Sequence, residues 1–340
     1  MGVLPDIRKN CLVTALRSLI SGPSGGIVFI LLGMVCISVN DMLIKQLSGG
    51  YPLHQMVFTR SAIGIVVSLF LVQLEGGWRI LHTKRPGLHL LRGGMIVGAN
   101  MAYFTALAVM PLADATALFF VAPLFITLLS IPVLGESVGV RRLGAVLVGF
   151  LGVLVIVRPG AGLGADLPSR WVLALPVVGA FGYACMQILT RKLRVGSKAS
   201  AMAVYMQGMF MLVGAGFCLV AGDGRYAEGE TNESLIFLLR AWVWPAPEDI
   251  WLFVLLGAMS SVIGYALSQA YRLGDAATIA PYEYVALPLA VLWGYVIFGT
   301  LPGLSTGFGI ALIMGSGIYV FLRERVRRSD IKGVRAVRRY

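Results

Sequence analysis

The chain has 340 residues, of which 58% are apolar and 13% are charged, and its mean hydropathy is +0.83. A soluble domain usually carries about 25% charged residues, so this composition argues strongly against an ordinary soluble enzyme. It also excludes intrinsic disorder, which requires low hydrophobicity and high charge. The sequence therefore predicts a polytopic, all-α integral membrane protein.

The charge and the cysteine content do not point to another class. A net charge of +12 is compatible with nucleic-acid binding, but basic residues also flank membrane helices, so no nucleic-acid partner is expected. The four cysteines and three histidines have no metal-ligand spacing. No metal site, no cofactor and no catalytic residue are therefore predicted.

Ten apolar runs are candidates for helices that cross a bilayer. Their backbone polar groups must be satisfied inside each segment, and no alternation typical of membrane β-strands is visible. In chain order, the predicted spans are 26–47, 53–74, 88–109, 112–134, 140–157, 171–191, 199–221, 250–271, 276–299 and 304–322.

The positions of Lys and Arg predict the orientation. With ten spans both termini lie on one side, and most of the 28 basic residues fall on that side. Because cytoplasmic loops are enriched in positive charge, both termini are predicted to be cytoplasmic. The N-terminal segment 1–25 and the basic tail 323–340 then lie inside, and the longest loop, 223–249, lies outside. Residues 235–242 of this loop are predicted to form a short helix at the membrane surface.

The two halves of the chain resemble each other weakly. Five spans in each half is an odd number, so the halves have opposite orientations, as in transporters built from inverted repeats. The predicted first repeat is 26–160 and the second is 171–322. The recurring residues are Asp114-Ala115 with Asp275-Ala276 and, at a spacing of 165, Pro123, Gly144, Gly152 and Arg158 with Pro288, Gly309, Gly317 and Arg323.

Charged residues within two neighbouring spans mark a candidate site, because such charges are expensive in a bilayer. Asp41 in the first span and Arg60 in the second lie about 9 and 10 Å from the outer edge. At this equal depth they are predicted to pair. A structural role and a substrate-binding role both remain open for the pair.

A third intramembrane charge, Glu283, lies about 10 Å inside the cytoplasmic edge, between Tyr282 and Tyr284. A carboxylate in this setting is suited to carrying a proton or to holding a cationic substrate. The tyrosines add cation–π attraction for a cation. Coupling to protons is therefore a hypothesis.

Further polar side chains fall at depths where a cavity for a flat or cationic organic molecule is expected. The sequence contains no phosphate-binding loop, nucleophile elbow or HExxH motif, so neither ATP-driven pumping nor enzymatic activity is predicted. The additional candidates for binding substrate or protons are Asn100, Tyr103, Tyr183, Gln187, Tyr265 and Gln269.

Three stretches of the chain carry a family resemblance. They are NDMLIKQLSGGYPLHQMVFTR (40–60), PLADATALFFVAPLFITLLSIPVLGESVGVRRLGAVLVGFLGVLVIVRPG (111–160) and GDAATIAPYEYVALPLAVLWGYVIFGTLPG (274–303). Together they resemble the EamA-domain family of the drug/metabolite transporter (DMT) superfamily, over about residues 26–323. The second repeat departs from the family pattern at Thr300, where the family often has the Glu seen here as Glu136.

The resemblance implies ten transmembrane helices in two inverted five-helix EamA repeats around a central cavity. It implies secondary transport by alternating access across a bacterial inner membrane. It also implies that Asp41, Arg60, Glu283 and Tyr284 lie in the cavity. The expected partners are a small-molecule substrate, the lipid bilayer and protons, while the oligomeric state stays open.

The substrate is open between two expectations that the resemblance allows. The first is a small zwitterionic or cationic metabolite, such as S-adenosylmethionine or an amino acid. The alternative is a flat aromatic metabolite of the riboflavin type. A channel or an integral membrane enzyme is the alternative from another class of protein.

Overall fold

A computed structural model describes residues 23–83, 85–135, 139–157, 170–193, 198–273 and 279–337. The first 22 residues, Glu136, Arg158 and the Asp275-Ala276 motif lie outside these ranges. The described chain is helical and contains no strand within those ranges, which confirms the all-α class.

The described residues form twelve α-helices and two short 3-10 helices, Trp78–Leu81 and Ala280–Val285. The helices are α1 (Pro23–Leu47), α2 (Leu53–Glu75), α3 (Pro86–Leu107), α4 (Leu112–Phe119), α5 (Ala122–Leu134), α6 (Val140–Val157), α7 (Arg170–Leu193), α8 (Ala199–Ala221), α9 (Glu233–Leu239), α10 (Ile250–Leu273), α11 (Ala286–Phe298) and α12 (Leu304–Val337).

Helices occupy each of the predicted spans, with boundaries within a few residues except at the C-terminus. Within the described ranges, six segments are long and apolar enough to cross a membrane, and α6, α11 and α12 contain shorter apolar stretches. A multi-pass membrane protein is therefore supported, while ten spans remain a prediction. The six segments are Gly25–Leu47, Leu53–Glu75, Leu112–Leu134, Trp171–Thr190, Ala199–Ala221 and Ile250–Ala270.

Two predicted spans are broken where the sequence suggested continuous helices. The fourth is interrupted at Phe120 and Val121, between α4 and α5. The ninth begins as the 3-10 helix Ala280–Val285 and becomes α-helical only at α11. Pro123 and Pro288 each lie within the first turn after the break. Proline lacks the N–H needed for the helical hydrogen bond, so the preceding turn changes its geometry.

The last helix runs beyond the predicted span. It continues to Val337, so the backbone of the predicted tail 323–340 is helical over most of its length. No glycine or proline interrupts the chain between Gly317 and Gly333, so nothing local ends the helix at the predicted boundary.

Four pairs of helices dominate the packing of the bundle. The most extensive contacts join α3 to α7, α1 to α10, α2 to α8 and α6 to α12. Large apolar side chains such as Phe70, Leu147 and Leu219 point outward and are mostly exposed. An apolar outer surface of this kind is expected where lipid replaces water around the bundle.

The contact between α6 and α12 depends on two glycines. A Cβ atom at Gly152 would lie 2.9 Å from the carbonyl oxygen of Gly309. A Cβ atom at Gly309 would overlap Cγ1 of Ile156. The two backbones can approach this closely only because both residues lack side chains.

The end of the bundle predicted to face outward carries residues 48–52 and 222–249 and is called the outer end; the opposite end is the inner end. A short helix is present in this loop as α9, a few residues earlier than expected, and its position at a membrane surface stays a prediction. The side-chain amide of Gln55 holds this loop by donating to the carbonyl oxygen of Val243 at 2.6 Å and accepting from its N–H at 3.1 Å. The loop is therefore fastened onto the start of α2.

Candidate functional site

A cavity of about 260 Å³ lies in the interior of the bundle. The described residues that line it come from α1, α2, α3, α4, α5, α7, α8, α10, the 3-10 helix Ala280–Val285 and α11. Its wall reaches toward the inner end at Ser130, Thr190 and Ser268, each within a few residues of an inner helix terminus. The cavity thus extends from the depth of Asp41 to the inner end.

The outer end is closed above the cavity. The Nζ atom of Lys45 donates to the carbonyl oxygens of Leu107 at 2.9 Å and Met110 at 2.6 Å. The same ammonium lies 5.6 Å from the centre of the Phe298 ring. Because these contacts join the ends of α1, α3 and α11, they hold the outer helix ends together.

A buried polar network forms the outer part of the cavity wall. The Arg60 guanidinium donates to the side-chain oxygens of Asn40 at 3.4 Å and Asn100 at 3.2 Å. The Asn40 amide nitrogen donates to Asp41 Oδ1 at 3.3 Å, and the Tyr103 hydroxyl donates to Asp41 Oδ2 at 3.0 Å. Asp41 and Arg60 are only 8% and 3% exposed, so both charges depend on these partners.

The predicted pairing of Asp41 with Arg60 takes an indirect form. Among the described residues, no ion pair with an N–O distance within 4.0 Å joins the two side chains, whereas Asn40 contacts both. Two aromatic rings complete the surroundings of Arg60, since its guanidinium carbon lies 5.3 Å from the centre of Phe104 and 5.0 Å from that of Phe210. Cation–π attraction therefore adds to the hydrogen bonds.

Aromatic side chains form a second part of the wall. Phe119 lies between Tyr103 and Tyr183, with ring centres 4.9 and 5.5 Å apart. The Gln187 amide donates to the Tyr183 hydroxyl at 2.6 Å, one helical turn further along α7. The break between α4 and α5 places Phe119 and Phe120 at this point of the wall. Such rings can contact a flat substrate.

Glu283 lies on the wall within the 3-10 helix and is 4% exposed. Its neighbours Tyr282 and Tyr284 do not belong to the lining. Tyr284 packs away from the cavity against α12, where a Cβ atom at Gly317 would overlap the tyrosine oxygen. Tyr282 is half-buried and packs against the apolar core.

Two further predicted residues, Tyr265 and Gln269, also lie outside the lining. The Gln269 amide donates to the Tyr265 hydroxyl at 2.8 Å and to the Glu75 carboxylate at 3.1 Å. The other carboxylate oxygen of Glu75 accepts from the Ser200 hydroxyl at 2.7 Å. This cluster joins the inner ends of α2 and α10 to the start of α8.

Some of the predicted site residues therefore line one cavity, and the others lie outside its lining. Arg92 also lines this cavity and was not among the predicted site residues. The signal was present in the sequence, because positions 92, 96, 100 and 103 fall on one face of a helix and all four line the cavity. The predicted residues in the lining are Asp41, Arg60, Asn100, Tyr103, Tyr183, Gln187 and Glu283.

Comparison with known proteins gives a consistent picture. Residues 24–158 match the model of the EamA-like transporter family. A riboflavin transporter of Vibrio cholerae is 31% identical over 80% of this chain and 83% of its own length. An S-adenosylmethionine uptake transporter of Rickettsia prowazekii is 27% identical over 90% of this chain and 95% of its own.

A solved crystal structure shares the fold. It matches with a TM-score of 0.63 and 19% sequence identity, over 89% of this chain and 99% of that one. At this identity the match concerns the arrangement of helices and carries no information on substrate.

Proposed function

The chain belongs to the EamA-like transporter family, and from this premise we propose that it is a secondary active transporter for a small zwitterionic or cationic metabolite, such as S-adenosylmethionine or an amino acid. It is a transporter rather than an enzyme, and its class and bacterial relatives support a multi-pass location in the inner membrane. In the proposal, transport proceeds by alternating access.

One observation carries the proposal. The cavity wall holds charges of both signs, Asp41 and Glu283 with Arg60 and Arg92, inside a bundle whose core is mainly apolar. Buried charges are costly in a membrane and are retained where they bind or move polar cargo. A wall with both signs is complementary to a molecule that carries both signs.

Two inverted repeats, 26–160 and 171–322, are part of the proposal. The main packing pairs are symmetric between the two repeats, when each predicted span is replaced by its counterpart in the other repeat. The pair α3–α7 then becomes the pair α10–α1, and the pairs α2–α8 and α6–α12 each become themselves. The interrupted fourth and ninth spans correspond and both border the cavity. Breaks at matching positions in two halves are typical of transporter binding sites.

The proposed topology places segment 1–25, both termini and the tail 323–340 in the cytoplasm, with loop 223–249 outside. Its support is the charge distribution of the sequence. In this orientation the cavity reaches toward the cytoplasm, and the contacts of Lys45 lie on the outer side.

A riboflavin-type substrate is the second candidate, and one specific observation favours it. Tyr103, Phe119, Phe120 and Tyr183 contribute aromatic rings to one stretch of the wall. A flat ring system could stack there with little need for charge. Substitution of Glu283 would then impair transport less than loss of an aromatic ring.

Counterflow in proteoliposomes tests the proposal. Vesicles are preloaded with S-adenosylmethionine, an amino acid mixture or riboflavin, and entry of the labelled compound is followed without an ion gradient. Saturable accumulation of a zwitterion is expected. Accumulation of riboflavin alone would support the second candidate, and flux without saturation or counterflow would contradict alternating access.

Proton coupling is tested in the same vesicles with an imposed pH gradient. If Glu283 carries the proton, a Glu283→Gln variant loses the pH dependence of uptake while counterflow of the substrate persists. A variant that keeps the full pH dependence would remove Glu283 from this role.

A further inference from the structure

Arg92 is a cavity residue whose charge its described neighbours satisfy only in part. It lies on α3, is 6% exposed and belongs to the cavity wall. Its Nε atom donates to the Thr190 hydroxyl at 2.7 Å, and Thr190 in turn donates to the carbonyl oxygen of Met186 at 2.9 Å. Thr190 therefore accepts from Arg92 and fixes the orientation of the guanidinium.

Among the described residues, the terminal nitrogens of Arg92 have no comparable partner. Within the described chain no hydrogen bond to Nη1 or Nη2 and no carboxylate within 4.0 Å is present. Arg60 is different, because Asn40, Asn100 and two aromatic rings surround its guanidinium. A buried guanidinium whose N–H groups are unpaired requires a hydrogen-bond acceptor. Because Arg92 lines the cavity, a ligand in the cavity can supply that acceptor.

The chemistry of the guanidinium indicates which group completes the site. Arginine presents two parallel N–H groups that match the two oxygens of a carboxylate or phosphate. The wall also carries Asp41 and Glu283, so a doubly charged phosphate would leave an excess of negative charge in the cavity. The two acidic and two basic side chains of the wall cancel, so a carboxylate on a ligand that also carries a positive group keeps the cavity neutral.

The same cavity wall also indicates a positive charge on the ligand, because it carries Glu283. Arg92, Tyr183 and Glu283 all line the same cavity. A positive group on the ligand can therefore approach Glu283 while a carboxylate on the same molecule meets Arg92. An α-amino acid group carries these two charges a few bonds apart.

We propose that Arg92, oriented by Thr190, binds the carboxylate of the transported molecule and thereby selects carboxylate-bearing zwitterions. The inference rests on the proposed function and deepens it. It assigns a specificity-determining role to a residue of the inner half of the cavity. It also predicts that riboflavin, which has no carboxylate, is not the preferred ligand.

Paired ligands that differ only by the carboxylate provide the test. Equilibrium binding to the purified full chain and counterflow are measured for S-adenosylmethionine and its decarboxylated form, and for methionine and 3-(methylthio)propylamine. The wild-type protein is expected to bind the carboxylate-bearing member of one pair about tenfold more tightly. In Arg92→Gln this preference falls to near one, through weaker binding of that member alone, while Arg92→Lys keeps part of it.

Arg79→Gln is the matched control, because Arg79 is exposed on the 3-10 helix Trp78–Leu81 and does not line the cavity. It should leave the preference unchanged. A purely structural role of Arg92 would weaken both members of a pair equally and so would leave their ratio unchanged.

The outcomes separate the two proposals. Equal binding of both members to the wild-type protein, an unchanged ratio in Arg92→Gln, or binding of riboflavin alone would overturn the role of Arg92 and leave the transporter standing. Binding with an Arg92-dependent ratio but without counterflow would overturn the transport mechanism and support the site. Neither binding nor counterflow of any compound would overturn both.

Discussion

At the scale of single residues, the buried charges of Asp41 and Arg60 depend on a neutral intermediary. Asn40 donates to Asp41 through its amide nitrogen and accepts from Arg60 through its oxygen. Transfer of an ion out of water costs several kcal/mol unless an opposite charge and hydrogen bonds compensate. The three side chains are therefore expected to behave as one unit, in which removal of either charge leaves the other unbalanced.

A double-mutant cycle tests this coupling. Asp41→Asn and Arg60→Met are each expected to lower the free energy of unfolding by about 3 kcal/mol, because each leaves one uncompensated buried charge. The double variant should cost about 2 kcal/mol less than the sum of the single variants. The measurement is equilibrium unfolding of the purified protein in detergent micelles.

The chain provides its own control for this cycle. Arg225 and Asp223 form an ion pair at 3.6 Å in which both side chains are more than half exposed. Asp223→Asn and Arg225→Met should be additive and nearly without effect, because solvent screens exposed pairs. Additivity at Asp41 and Arg60 as well would show that the two charges are not coupled.

The sequence indicates the depth of these residues but not their partners. Asp41 and Arg60 were predicted at matching depth, and both border the cavity. The position of Asn40 between them depends on side-chain rotamers, which the chain order does not determine. Tyr265 and Gln269 show the same limit, because their depth alone does not say that their helix face turns toward Glu75.

At the scale of elements, the outer loop acts as a strap across the start of α2. The Tyr51 hydroxyl donates to Asp249 Oδ2 at 2.6 Å and accepts from the N–H of Ala246 at 2.9 Å. The His54 ring nitrogen Nδ1 lies 2.9 Å from the carbonyl oxygen of Leu238. These contacts join the turn between α1 and α2 to the segment that leads into α10, and so help to close the outer end.

Removal of one hydroxyl tests the strength of the strap. Tyr51→Phe keeps the ring against Phe253, where the ring centres are 5.1 Å apart, but loses both hydrogen bonds. The free energy of unfolding is expected to fall by about 2 kcal/mol, because the Asp249 carboxylate and the Ala246 N–H lose their partner. Thermal or denaturant unfolding in detergent provides the measurement.

The matching control is Tyr226→Phe in the same loop. The Tyr226 ring is half-exposed and lies 5.0 Å from the Arg225 guanidinium. Removal of its hydroxyl should leave stability unchanged. An equal loss of stability in both variants would mean that the Tyr51 contacts do not fasten the loop.

Helix positions were predictable from the sequence, whereas helix continuity was not. Long apolar runs bounded by charged or glycine-rich loops determine where a membrane helix begins and ends. A proline inside such a run is compatible with a kink or with a complete break, because neighbouring helices can satisfy the freed backbone groups. The interruptions before Pro123 and Pro288 therefore emerged only from the packing around the cavity.

At the scale of the whole molecule, the cavity and the closed outer end describe one state of the proposed transport cycle. The wall extends to Ser268 near the inner end, while Lys45 and the outer loop close the other end. The paired helices offer surfaces on which one proposed repeat can move against the other. A transporter in this state should admit solutes from the cytoplasmic side alone.

Thiol labelling tests this one-sided access. In a variant whose four native cysteines are replaced, Ser268→Cys should react with a membrane-impermeant maleimide several-fold faster from the cytoplasmic side than from the outer side, and bound substrate should slow the reaction. Val66→Cys is the control, because Val66 is 66% exposed on the apolar outer face of α2, where a water-soluble reagent has no access. Equal rates from both sides at Ser268→Cys would contradict a closed outer end in this state, because the reagent would then reach Ser268 from the outer side as well.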